Sequence, residues 1–332
     1  MIYIPMLKNR TIELRIFKDS VNYFSDKIIP LVEIITNKDK ANLDYVQKLI
    51  NDKTLFIDYF RFSTEKYGKK IDFNGSELAY NISNNYTMYK SCVLGCAGYD
   101  NIIPVVSVKA GFEIKKNELL DFLSQLQQVN SHVALRITED YLDLYEDVIT
   151  DVLRVDDYLL FDVEEQNPSL KFMELEQLSD LNPQCKLVLL NSPRKASVWN
   201  RQYPEHDKTD LIDNCAREIA ELNDFEGYGD YCGLKDVMPQ SRGGNNTGAA
   251  IALLYSFPEN VFYSYCTQDT KLGVKGYAAL IPVILKDRMY LDPDGDCPVF
   301  NRIEQMSGNG GWQTWIQFNA VRYIHQTYKY LK

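Results

Sequence analysis

Along the chain, short runs of Ile, Val, Leu, Phe and Tyr alternate with longer stretches whose apolar residues recur every three to four positions. The runs are IIPLVEII (28–35), TLFIDY (54–59), IIPVVSV (102–108), HVALRI (132–137), YLLFDVE (158–164), KLVLLN (186–191), DYCGLKDV (230–237) and NVFYSYC (260–266). Most are continuously apolar, the pattern of parallel strands buried on both faces. Between them ANLDYVQKLIND, NELLDFLSQLQQV, YLDLYEDVITDVL, SLKFMELEQLSDL, KTDLIDNCAREIAEL and TGAAIALLYSF carry helical spacing. In the second of these, Leu119, Leu120, Phe122, Leu123 and Leu126 gather on one stripe, as an amphipathic helix requires. Strand and helix alternating in this way predict an α/β fold closed as a (β/α)8 TIM-barrel-like structure, with an open doubly wound sheet as the competing arrangement.

Two parts fall outside the barrel pattern. Residues 1–27 precede the first expected strand and read as an N-terminal cap, a short strand or turn and then a helix. The barrel core is expected over 28–270. An insertion over 271–310, containing GYAALIPVILKDRMYLDPDGDCPVF, is expected to hold a small hairpin. The final helix, 311–332, has Trp312, Trp315, Ile316 and Phe318 to pack it onto the barrel. No low-complexity linker divides the chain, so 1–332 is expected to be a single barrel-like domain.

Composition narrows the function classes. With 45% hydrophobic residues in 332, the chain can bury a full core. A formal charge of -10 without any basic run argues against general nucleic-acid binding, which rests on clustered Lys and Arg. No run approaches the ~18 apolar residues of a membrane span. MIYIPMLKNRTIELRIF turns charged too soon for a signal peptide, so a cytoplasmic protein with no membrane partner is expected. The seven scattered cysteines read as reduced core thiols. Cys92 and Cys96 have no His beside them, His132, His206 and His325 form no HExxH, and DPDGDC (292–297) lacks the later ligands of a calcium loop. No metal site is predicted, and no motif names a cofactor.

In such a barrel, chemistry collects at the C-terminal ends of the strands. Polar residues there include Glu33, Asp58, Arg61, Lys109, Arg136, Asp162, Glu164, Asn191, Arg194, Lys235 and Asp236. Asp58, Arg136 and Asp162 are the candidate catalytic group, because each lies in or at the edge of an apolar run, where an unpaired charge is costly. In a hydrolytic role Asp58 or Asp162 would activate water while Arg136 and Arg242 would stabilise developing negative charge. A mutual Arg and Asp pairing would meet the same cost with no catalysis.

Candidate ligand-binding residues are Arg10, Glu33, Lys109, Arg194, Asp230, Lys235, Asp236, Arg242, Gly243 and Gly244. The last three belong to DVMPQSRGGNNTGAA (236–250), which follows the seventh expected strand, where barrels of this kind hold phosphate at a helix N-terminus. Glycines would admit backbone N–H groups and Arg242 would supply paired donors. The stretch is neither a Walker loop nor GxGxxG, and its glycines suit a tight turn equally well.

YIPMLKNRTIEL followed by KIIPLVEI, GYGDY (227–231), and the late GWQTWIQFNAVRYIH together resemble the beta family, named for a bacteriophage T4 product and found in phages, prophages and bacterial mobile regions. Arg10, Glu13, Glu33, Gly229, Asp230, Trp312, Trp315 and His325 stand at matching positions, while Ile324 replaces the first of two adjacent histidines expected there. The resemblance implies a cytoplasmic protein of phage–host conflict, in defence or counter-defence. The expected function is binding of a small anionic, phosphate-bearing ligand at the barrel's C-terminal face, with hydrolysis open. The alternative is a non-catalytic platform for a protein partner such as a nuclease-like conflict protein.

Overall fold

The computed structural model describes residues 1–51, 53–68, 70–240 and 247–331. Eight parallel strands close into a barrel: β1 (Ile2–Lys8), β2 (Leu31–Ile34), β3 (Leu55–Tyr59), β4 (Ile102–Val108), β5 (Ala134–Thr138), β6 (Tyr158–Asp162), β7 (Lys186–Leu190) and β9 (Gly227–Asp230), with β9 pairing back onto β1. The predicted (β/α)8 class is therefore the observed one. Helices α1 (Thr11–Ser20), α2 (Leu43–Ile50), α6 (Lys116–Gln127), α7 (Glu146–Asp151), α8 (Phe172–Leu181) and α9 (Ala216–Leu222) follow their strands, and α3 (Thr64–Tyr67), α4 (Glu77–Ser83) and α5 (Tyr86–Leu94) fill the connection from β3 to β4.

Six interior strands fall where the apolar runs placed them, and the two at the seam do not. Residues 2–8, expected in a cap, are β1, paired with both β2 and β9. The barrel strands therefore span 2–230 rather than beginning at 28. The run DYCGLKDV is not a strand beyond its first residue: Cys232 and Gly233 take φ of 54° and 73°, left-handed geometry that turns the chain out of the sheet. The run at 260–266 is β11 (Val261–Cys266), which leaves the barrel for an antiparallel sheet with β10 (Ile251–Ser256) and β8 (His206–Thr209). TGAAIALLYSF, read as a helix, supplies β10; a six-residue apolar run has no periodicity to separate the two states. The hairpin expected in 271–310 is replaced by helices α10 (Tyr277–Lys286), α11 (Arg288–Leu291) and α12 (Pro298–Glu304), and DPDGDC joins two helices rather than two strands.

Period-two alternation sends one set of strand residues into the barrel. Ile4, Leu31, Phe56, Val105, Ala134, Leu160 and Val188 form its apolar interior, all fully buried. Gly227 and Gly229 share that inward face on β9. A Cβ at Gly229 would lie 2.6 Å from the Ile4 carbonyl oxygen and 2.6 Å from a Leu190 methyl, so the seam closes only because no side chain stands there.

The last helix, α13 (Trp312–Tyr330), lies between the barrel and the small sheet. Its Tyr323 ring stacks on Tyr255 at 4.1 Å and its hydroxyl donates to Asp230 at 2.6 Å, while Asn319 accepts from the Leu253 N–H at 3.0 Å. Trp315 is fully buried and stacks on Tyr277 at 4.7 Å. All seven cysteines are unbridged. No described helix is long and apolar enough to cross a membrane.

Candidate functional site

The strand ends raise a ring of charge at the barrel mouth. Lys8 on β1, Glu33 on β2, Asp58 on β3, Ser107 on β4, Arg136 on β5 and Asp162 on β6 all project from the inward face. Arg136 is the hub: Nη1 donates to Glu33 Oε1 and Asp58 Oδ2 at 2.8 Å each, while Nε and Nη2 reach Asp162 Oδ2 at 2.9 and 2.6 Å. Lys8 Nζ lies 2.6 Å from both Glu33 Oε2 and Asp236 Oδ1. Hydroxyls complete the set: Tyr231 donates to Glu33 at 2.7 Å, Ser107 to Asp58 at 2.8 Å and Tyr67 to Asp236 at 2.6 Å.

Burial raises the cost of every charge here, and the partners reverse it. Burial opposes the ionised Glu33, yet Lys8 and Arg136 hold its pKa below the usual value. Asp236 is lowered strongly, against burial, by Lys8 and Tyr67. Arg136 is held charged by Asp162 and Glu33 despite its burial. Asp58 keeps Oδ1 without a hydrogen-bond partner among the described residues. The three residues proposed as catalytic thus meet, but as an interlocked ion cluster in which four of the five arginine N–H donors are engaged by carboxylates.

A second arrangement lies beside the mouth, where the chain leaves β9. Tyr231 and Asp236 face the ion cluster, whereas Leu234, Lys235 and Val237 line a cavity of about 310 Å3. Arg10, from the start of α1, and Arg194, from the loop after β7, line it as well, opposite Tyr277 and Trp312. Arg194 is 7% exposed and donates to Tyr203 Oη at 3.2 Å, Asn200 Oδ1 at 3.2 Å and the Gly233 carbonyl at 3.3 Å. Lys235 donates to the Ala196 and Val198 carbonyls at 3.2 and 2.6 Å. Neither has a carboxylate partner among the described residues. Burial and then the nearby Arg194 pull the Lys235 pKa down to about 8. Arg10 pairs with Glu13 and donates to the Val237 carbonyl at 3.1 Å.

The predicted site residues therefore separate into groups. Glu33 and Asp236 join Asp58, Arg136 and Asp162 in the mouth; Arg10, Arg194 and Lys235 share the side cavity; Lys109 lines a third space beside β4. Asp230 belongs to none of these. It faces outward with Tyr228, accepting from Tyr3 Oη at 2.9 Å, Tyr323 Oη and the Cys232 N–H, and burial raises its pKa. His325 packs edge-on against Tyr23 at 5.4 Å and is a packing residue of α13. Arg242, Gly243 and Gly244 lie outside the described residues.

Sequence reasoning missed Lys8, although an apolar run ending in a charge is the same signal that marked Asp58. It also missed Tyr67, Tyr231 and Tyr277, which carry no signal in a chain with 23 tyrosines. Comparison of the chain with protein-family models and with curated proteins finds no match.

Proposed function

We propose that the chain binds a small organic anion, phosphate-bearing and with a planar apolar portion, in the cavity between the loop after β9 and the start of α13. One observation carries this reading: Arg194, buried, and Lys235, half-buried, line the same cavity with only neutral acceptors, next to Arg10. A buried cation without a counter-charge is expensive, and an anionic ligand would relieve that cost. Tyr277, Trp312 and Ile316 offer the apolar wall that a base or similar ring would occupy.

Binding is favoured over hydrolysis, because four of the five N–H donors of Arg136 are held by its own carboxylates, which leaves at most one for a developing oxyanion. The resemblance to the beta family supports placing this binding in cytoplasmic phage–host conflict.

The test is a thermal-shift series on the wild type and Lys235→Ala with ADP, ribose 5-phosphate, inorganic phosphate and uncharged adenosine. ADP at a hundredfold excess over its dissociation constant is expected to add about 2.7 kcal/mol to wild-type stability. Lys235→Ala should lose that gain while unfolding normally without ligand. Equal stabilisation by adenosine, or unchanged binding in the variant, overturns the reading.

The platform alternative finds support elsewhere on the surface. Leu170, Phe172 and Met173 are exposed at the start of α8, beside a groove lined by Glu139, Asp143, Glu146 and Glu174. A basic, partly apolar partner segment would suit that face.

A further inference from the structure

Lys109 follows β4 directly and projects into a cavity of about 340 Å3 on the other side of the mouth, lined also by Phe62, Lys66, Phe112, Asp162 and Glu164. Its ammonium rests 4.0 Å from the centre of the Phe60 ring. Lys8 and Arg136 are locked to carboxylates, whereas the Lys109 ammonium makes no hydrogen bond or ion pair among the described residues. We infer that Lys109 is an imine-forming nucleophile, accepting a small uncharged aldehyde or ketone in this cavity.

The surroundings prepare a neutral amine. Burial, then the positive charge of Arg136, lowers the Lys109 pKa to about 8, against the opposing pull of Asp58 and Glu33 and with a further push from Lys66. An amine desolvated beside other cations is the usual means of activating a lysine as a nucleophile. Phe62 and Phe112 supply apolar wall, while Glu139, Asp140, Asp162 and Glu164 would repel an anionic substrate. The ligand class here is therefore opposite to that of the side cavity.

The step balances without an external oxidant or reductant. The Lys109 nitrogen lone pair attacks the carbonyl carbon, the carbonyl oxygen takes a proton, and loss of water from the carbinolamine leaves the imine. Glu164 is the wall carboxylate placed to move the proton: Asp162 is held by Arg136 and the Glu164 N–H, whereas Glu164 pairs with the exposed Lys66 at 2.6 Å. Glu164 also holds φ of 54°, a left-handed conformation for a non-glycine residue at the end of β6. Such strain collects at functional sites.

The experiment is reductive trapping. The wild type is incubated briefly at pH 7.5 with glycolaldehyde and sodium cyanoborohydride, and the modified lysines are located by peptide mass spectrometry. Lowering an amine from about 10.4 to about 8 raises its neutral fraction at pH 7.5 on the order of a hundredfold, so Lys109 should label at least about tenfold faster than exposed Lys18 or Lys195. Its labelling rate should rise with a midpoint near pH 8. Lys109→Met should abolish the fast phase, and Lys18→Met, at an exposed position outside the cavity, should retain it. Labelling of Lys109 no faster than that of the exposed lysines, or a midpoint near 10, overturns the proposal. Faster trapping of glyoxylate than of glycolaldehyde overturns the substrate class. The site mapping is done on wild-type protein, so the proposal stays testable if Lys109→Met fails to fold.

Discussion

Arg136→Met is the most informative single perturbation of the barrel mouth. The arginine holds three buried carboxylates, Glu33, Asp58 and Asp162, at 2.6–2.9 Å. Methionine keeps much of the stem volume and removes the charge. Lys8 still serves Glu33, while Asp58 and Asp162 keep only the neutral donors Ser107 Oγ and the Glu164 N–H, so the loss falls hardest on the two aspartates. Removing one member of a buried ion pair costs about 3–5 kcal/mol, and we expect a loss of that size at pH 7.5.

The pH dependence separates lost charge from lost packing. In the wild type Glu33 is lowered, so its contribution is complete above its unfolded pKa and is lost only as pH falls through the folded value, below about 4.3. Little should change between pH 7.5 and 5.5. In the variant the unpaired carboxylates bind protons more tightly folded than unfolded, so stability returns as pH falls. The deficit should shrink by about 1.4 kcal/mol for each pH unit below the new pKa of one carboxylate. Urea denaturation at both pH values, with slopes compared, measures this. A loss under about 1 kcal/mol, or an equal loss at pH 7.5 and 5.5, would refute the account of Arg136 as the charge that holds the mouth together.

Two further perturbations address the seam and its seal. Gly229→Ala would drive a methyl against the Ile4 carbonyl and Leu190, and we expect a loss of about 1–3 kcal/mol or more by urea denaturation; a neutral effect would mean that β9 does not approach β1 as described. Tyr323→Phe removes one of three donors to the buried Asp230 carboxyl and should cost about 1.5–3 kcal/mol, again by denaturation midpoint, without altering ADP binding in the side cavity.

The barrel was legible because its six interior strands are covered on both faces and therefore read as unbroken apolar runs. The seam was not, because β9 is four residues long and contributes two glycines, leaving Tyr228 as its main apolar mark. At the other side of the seam, IYIPML is as apolar as the recognised strands, but Lys8, Asn9 and Arg10 follow at once and gave it the look of a surface segment. Asp58, Arg136 and Asp162 could be picked out singly, since a charge in an apolar run stands out. Their mutual saturation could not, because it depends on which inward positions share a height around the barrel. The meeting of Arg10, Arg194 and Lys235 was hidden for a similar reason: three loops far apart in the chain deliver them. Tyr277 and Trp312 reach the same wall from segments that follow the barrel altogether.

The position of α13 also sets an order of events during synthesis. Tyr3 and Asp230, bonded across the closing strands, are separated by 227 positions, and Tyr323, which completes the grip on Asp230, comes 93 positions later still. As the polypeptide leaves the ribosome, β1 emerges first and must wait, its hydrogen-bonding edge open, until β9 appears. Contacts of such long separation are entropically late, and an open strand edge invites pairing with other chains in the meantime. Of the barrel's strands, the earliest made is therefore among the last to be locked on both edges.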